Sequence, residues 1–197
     1  NHCIFLQKGK CGACKKTCPT GAVDFDQKPQ TVHLNVGSVV LAPGFTPFNP
    51  SIFDNYQYAK LPNVVTSLEY ERILSASGPT HGHITRPSDG KSPKKIAWFQ
   101  CVGSRDLNKF DHAYCSSVCC MYAIKEAVIS KEHEGGDLDC AIFYMDMRTH
   151  GKEFERFYDN AKTKQGVRFI RSRVHTITPV GDTGDLEVRY VAEDGSI

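Results

Sequence analysis

The sequence predicts an α/β protein in which a cysteine-rich loop segment precedes a parallel sheet with helical crossovers. Three observations carry this. From residue 95 onward, short apolar runs alternate with helix-length runs in the order of a βαβαβ unit. Eight of the nine cysteines fall at residues 3–18 and 101–120, a ligand-like clustering rather than a disulfide framework. Apolar residues make up 40% of 197, enough for one ordinary domain or two small ones with a real core.

The elements follow in chain order. Residues 1–30 are rich in cysteine and turn residues. Residues 31–42, TVHLNVGSVVLA, read as β structure, and the apolar run 39–42 suits a buried parallel strand. Pro43, Gly44, Pro47 and Pro50 then break it. SLEYERILSA, residues 67–76, reads as a short helix with Ser67 as its N-cap. Residues 77–95 form a polar Gly/Pro loop and a domain boundary. KIAWFQ (95–100) is a strand, residues 118–133 a helix, DCAIFYMDM (139–147) a strand and residues 152–164 a helix. VRFIRSRVHTI (167–177) is the third strand, and residues 186–194 are another. This alternation implies a doubly wound parallel sheet.

Charge excludes several functions. A net charge of +2, with both signs interspersed, points to neither nucleic acid nor an anionic membrane. No apolar run approaches the ~20 residues of a spanning helix, and no signal peptide is visible. The start at Asn1 hints at a fragment. Clustered thiols without an export signal indicate metal or redox chemistry in a reducing compartment, hence a cytoplasmic setting.

Cys3, Cys11, Cys14 and Cys18 precede Pro19, with a C-x2-C-x3-C-P core. Soft thiolates on so tight a loop suit a [4Fe–4S] cubane, and this is the bacterial ferredoxin run. A zinc knot is the alternative, although zinc ribbons usually separate two C-x2-C pairs. Cys3 departs most from the usual run.

Cys101 ends the strand KIAWFQ, and Cys115, Cys119 and Cys120 open the following helix. Ligands in open parallel sheets gather outside the carboxyl ends of strands. A helix N-terminus adds free N–H groups and partial positive charge, favourable for an anionic thiolate cluster. Cys119 and Cys120 are helix neighbours, ~100° apart, so both reach one cluster only at a starting or distorted turn. The alternative makes one of them a small buried hydrophobe. Cys140 and Trp98, inside apolar strands, are expected in the core. Arg105 and Asp106 adjoin a ligand and either orient the site or form a surface turn. Glu69 and Glu71 read as a solvated helix face. Arg168, Arg171 and Arg173 read as the exposed side of a strand. The eight histidines show no metal spacing.

The runs VVLAPGFTPF, VVTSLEYERILSASGPT, RPSDGKSPKK, KIAWFQCVGSRD, YCSSVCCMYAIKEA and FYMDMRTHGKEFERFYDNA resemble the A-subunit family of heterodisulfide reductase over nearly the whole chain. The resemblance implies an iron–sulfur flavoprotein, an oxidoreductase component with a thioredoxin-reductase-like core. It would relay electrons between clusters and FAD within an anaerobic complex. Its partners would be other subunits of a heterodisulfide-reductase-like or hydrogenase/dehydrogenase assembly. The family's cluster ligands match Cys3, Cys11, Cys14 and Cys18, then Cys101, Cys115, Cys119 and Cys120, implying two [4Fe–4S] clusters. Residues 1–30 would be a ferredoxin-like segment and residues 31–92 part of a flavin domain. Residues 93–197 would be a degenerate pyridine-nucleotide domain holding the second cluster. Ala42, Pro43, Gly44 and Phe45 resemble the turn that approaches the flavin, and Arg105 joins them as a cofactor-binding candidate. Lys125 would face the isoalloxazine ring as the catalytic candidate, although a snorkelling surface lysine is the plainer reading. The chain has no G-x-G, so the first flavin-binding βαβ unit is absent and FAD is expected only in the full-length parent. Two other functions stay open: a zinc-binding interaction module, and a dithiol redox protein using Cys11 and Cys14.

Overall fold

The computed structural model describes residues 2–197. It divides into two compact units, Asn1–Phe45 and Thr46–Ile197.

The first unit contains two single-turn helices. Helix α1, Ile4–Lys8, starts behind an extended Cys3 and ends on Gly9 at φ 62°, whose N–H returns to the Phe5 carbonyl. Helix α2, Ala13–Thr17, starts behind Gly12 at φ 93° and ends at an extended Cys18. The residue before a proline is biased away from helical ψ, so Pro19 stops α2. Phe5 and Phe25 stack at 3.9 Å between ring centroids. Residues 27–45 contain neither helix nor strand, which corrects the strand expected over 31–42. Val39, Val40 and Leu41 are 73%, 89% and 84% exposed. A buried parallel strand needs neighbours on both edges and cover on both faces, and every described strand pairs elsewhere.

The second unit opens with 3-10 turns at Pro50–Ile52 and Asp54–Tyr56, followed by helix α3, Ser67–Leu74. Strand β1 (Lys95–Phe99), the short helix α4 (Leu107–Phe110), helix α5 (Cys119–His133) and strand β2 (Asp139–Phe143) come next. Helix α6 (Phe154–Thr163) and strands β3 (Arg168–Ile170), β4 (Thr176–Pro179) and β5 (Leu186–Arg189) complete it. Strands β1, β2 and β3 form a parallel sheet in that order, and β4 with β5 form an antiparallel pair. The α/β class therefore holds.

Alternate residues of β2 face different layers. Cys140 and Ile142 join Trp98 in a cluster with Tyr70, Ile124, Ala127 and Ala161, from α3, α5 and α6. Ala141 and Phe143 join Phe53, Tyr56, Val174 and Ile177 on the other side. Helices thus cover one face, while the 3-10 turns and the β4–β5 pair cover the other. This corrects the doubly wound expectation. Strand order 1-2-3 moves each crossover the same way, and right-handed crossovers then place both helices on one face. Cys140 and Trp98 are core residues, at 0% and 7% exposure.

Two local expectations also change. Thr66, not Ser67, caps α3, in a reciprocal capping box with Glu69. A hydroxyl one residue earlier accepts from the third helical N–H. The strand expected over 167–177 is two strands. After β3 the Ser172 N–H turns back to the Ile170 carbonyl at 2.9 Å, and the His175 N–H then pairs with Arg189. The chain leaves one sheet for the other at Arg171. Arg168 and Arg173 are ion-paired with Asp139 and Asp106 rather than merely exposed.

Candidate metal centre

In the first unit all four cysteines are free and sit at or beside helix ends. Cys3 precedes α1 and Cys18 follows α2. Cys11 takes φ 96°, a conformation costly for a side chain with a Cβ and concentrated at functional sites. Cys11 and Cys14 are exposed, and Cys3 and Cys18 are half-buried. Cys18 Sγ lies 3.4 Å from the Thr20 hydroxyl. That hydrogen bond, with backbone N–H groups of Ala22 and Thr20, lowers its thiol to about 7. Donors converging on one sulfur favour the thiolate, the form that ligates metal.

In the second unit Cys101 stands just past β1, at φ 61°. A loop then carries the chain out and back to Cys115. Arg105 N–H bonds the Tyr114 carbonyl at 3.0 Å, and Asp106 and His112 exchange backbone bonds. His112 Nδ1 lies 2.7 Å from the Gly103 carbonyl. Asp106 caps α4 through the Lys109 N–H and pairs with Arg173 at 2.9 Å, which explains its burial. Gly103 is required here. It has φ 73°, and a Cβ would fall 2.2 Å from the Phe48 ring. Arg105 and Ser117 also take positive φ, at 54° and 61°.

The loop brings three thiols together. Cys119 is the first residue of α5 and hydrogen-bonds with Cys101 and Cys120. Those contacts hold the Cys119 thiol well below its usual range. Cys101 and Cys120 are pushed up, first by the bond to Cys119 and then by burial. Position at the first helical turn lets adjacent cysteines converge. Cys115 is half-buried, and its sulfur accepts from the Ser117 N–H at 3.4 Å. The thiols meet in a chain from Cys101 through Cys119 to Cys120. Among the described residues no three His, Cys, Asp or Glu side chains surround one point for an ion.

The surroundings fit a bound anionic thiolate group. Arg105 lies beside Cys101 and donates from Nη2 to Asp146 at 2.7 Å. Its Nη1 is buried without a hydrogen-bond partner, as is Oε1 of Gln100, the residue before Cys101. Buried polar atoms without partners are rare enough to require a reason, and an absent ligand beside Cys101 supplies one. The start of α5 adds unpaired N–H groups.

The remaining candidates are placed as follows. Ala42, Pro43, Gly44 and Phe45 are exposed and outside any helix or strand in the first unit, with Gly44 at φ 76°. Lys125 is exposed on α5, its Nζ 5.8 Å from the Phe154 ring centroid. The cation facing the thiols is Arg105. Sequence reasoning missed Asp146, which accepts from Arg105 and also pairs with Arg171 at 3.6 Å. Its only signal was a carboxylate at the end of an apolar strand.

No family model matches the chain. Individual relatives match along almost all of it. It is 43% identical over 189 residues, 96% of its length, to the iron-sulfur A-subunit of CoB-CoM heterodisulfide reductase from Methanocaldococcus jannaschii. The chain belongs to the heterodisulfide reductase A-subunit family. A second A-subunit, from Methanopyrus kandleri, is 46% identical over 88% of the chain. The A-subunit of the ferredoxin/F(420)H(2)-dependent CoB-CoM heterodisulfide reductase of Methanosarcina acetivorans is 38% identical over 96%. The chain spans 28%, 26% and 23% of these three heterodisulfide reductase subunits. Among the described residues no helix is long and apolar enough to cross a membrane.

Proposed function

We propose that this chain is the part of a heterodisulfide reductase A-subunit that holds two [4Fe–4S] clusters and relays electrons between them and FAD. The observation that carries the reading is the meeting of Cys101, Cys119 and Cys120 beside Arg105, whose Nη1 is buried and unpaired. An all-thiol donor set beside a guanidinium suits an anionic tetrathiolate group, and the C-x2-C-x3-C-P run of the first group favours iron–sulfur over zinc, whose ribbons usually separate two C-x2-C pairs. Cys3, Cys11, Cys14 and Cys18 would hold the first cluster, and Cys101, Cys115, Cys119 and Cys120 the second. When bound, each cluster supplies one-electron transfer.

The chain's own residues would orient and shield. Arg105 holds a positive charge against Cys101 and is itself fixed by Asp146. The start of α5 directs N–H groups to the same place. Ala42, Pro43, Gly44 and Phe45 would approach FAD in the intact protein, with cytoplasmic partner subunits serving as electron donor and acceptor. Lys125 would support reduced flavin there.

Iron and acid-labile sulfide after anaerobic reconstitution test the reading. About eight irons per chain are expected, four per cluster. About four would mean that one group is misassigned, and a colourless zinc protein would overturn the proposal. In the intact protein, Lys125→Ala should lower the flavin potential with both clusters retained. An unchanged potential returns Lys125 to the surface.

A further inference from the structure

Glu126 is a charged-type residue in the wrong environment. It lies on α5, six residues beyond Cys120, and is 3% exposed among Trp98, Ile124 and Ala127. Its Oε2 accepts one hydrogen bond, from Trp98 Nε1 at 2.9 Å. Its Oε1 is buried with no partner. That single bond joins β1 to α5. Trp98 stands three residues before Cys101 on β1, and Glu126 lies less than two turns, roughly 9 Å, along α5 from Cys120. The tie therefore spans the two elements whose ends bring the thiols together.

The surrounding groups leave a carboxylate unsupported. From α3, Tyr70 hydrogen-bonds with Ser130 at 2.7 Å, and the Glu71 carboxylate accepts from the Tyr122 hydroxyl. Ser130 Oγ donates to the Glu126 carbonyl at 2.6 Å, one turn on along α5. Cys140 of β2 bonds the Ala127 carbonyl, and Tyr158 of α6 packs in the same apolar cluster. Among these described neighbours none is a cation, and Glu71 is an added negative charge. Burial accordingly pushes the Glu126 carboxyl up to about 8, with Glu71 contributing. An ionised carboxylate here would be buried with one donor and no counter-charge, a strongly unfavourable state.

We propose that Glu126 is a positioning residue for the second cysteine group. Neutral, it ties β1 to α5 and fixes Cys101 against Cys119 and Cys120. On ionisation its proton passes to solvent; the Trp98 bond favours the carboxylate but does not offset the buried charge, which draws the side chain toward water and loosens β1 from α5. This deepens the ligand reading of residues 101–120, which become a thiol site whose geometry is set by a proton on a residue outside it.

The test uses phenylarsine oxide, which bridges two thiols in contact, so it needs no cluster. It is titrated into the metal-free full chain carrying C3S, C11S, C14S and C18S, so that the second group is read. At about pH 6, Glu126→Gln should bind like the parent, because the amide still accepts from Trp98. Glu126→Ala and Trp98→Phe should bind up to about tenfold more weakly, the size of one lost hydrogen bond. At about pH 9 the parent should fall about tenfold below Glu126→Gln measured at the same pH, which cancels the thiols' own titration. Equal affinities of parent and Glu126→Gln at the higher pH overturn the proposal. So does parent-like binding by Trp98→Phe at the lower pH. If Glu126→Ala does not fold, the Glu126→Gln comparison decides. A chain that binds no iron but shows this arsenical pattern keeps the tie and loses the cluster reading.

Discussion

Aspartates and Glu126 pull the stability of this protein in opposite directions with pH. Asp146 is held below the usual carboxylate range by Arg105, Asp89 by Arg86, and Asp139 by Arg168. For Asp106 the Lys109 N–H comes first and Arg173 follows. A carboxyl lowered in the fold stabilises it above the unfolded value and loses that contribution as pH falls through the folded one. Glu126, raised to about 8, behaves in the reverse sense. The folded form keeps a proton that the unfolded chain releases from 4.5 upward, so stability falls as pH rises to about 8. The thermal midpoint of the metal-free chain should therefore decline on both sides of a mildly acidic maximum. Glu126→Gln should flatten the alkaline limb and leave the acid limb in place. Calorimetry across that range checks it, and an unchanged alkaline limb would show that Glu126 ionises without cost.

At the scale of elements, two short segments depend on single residues. Thr66→Ala removes the acceptor for the Glu69 N–H and half of the capping box. A loss of about 1 kcal/mol is expected in denaturant unfolding. A change within error would mean that packing of α3 on α5 carries the helix without its cap. The loop from β1 to Cys115 turns on Gly103. Gly103→Ala would place a methyl against the Phe48 ring at a φ of 73°. Because the new residue fits neither the space nor the backbone, the cost should exceed about 1 kcal/mol. Iron at the second group should fall with it. Shrinking the ring with Phe48→Leu should restore part of the loss, since the backbone penalty remains. Full tolerance of Gly103→Ala would contradict the close approach.

For the whole molecule, the parallel sheet is covered by helices on one face and by the β4–β5 pair on the other, and the second cysteine group sits at its carboxyl edge. The first group belongs to a separate unit whose apolar segment 32–45 is largely exposed. Tight FAD binding normally uses N–H groups of a glycine-rich turn at a helix N-terminus. The chain contains no G-x-G, so on its own it should not retain FAD after desalting. Stoichiometric flavin absorbance on the isolated chain would show that another element supplies those donors.

The sequence by itself determined the local features. Alternating apolar runs placed β1, α5, β2 and α6 to within a few residues, and cysteine spacing marked two thiol groups. Periodicity and spacing are properties of neighbouring residues and need no partner. Tertiary structure decided everything that depends on what lies opposite. Residues 39–42 have the composition of a buried strand, yet they are exposed because composition cannot supply neighbouring strands. The run 167–177 looked like one strand, but Arg171 and Arg173 are drawn to Asp146 and Asp106 and the chain changes sheets. Glu126 was overlooked although apolar residues flank it at helical spacing. Whether such a carboxyl is solvated or buried depends on the rotation of α5 against Trp98, which only the packed fold fixes. The same packing decides that Cys101 meets Cys119, 18 residues away in sequence. Thiol spacing marked the group, but the turn at Gly103 and the crossover from β1 into α5 close it.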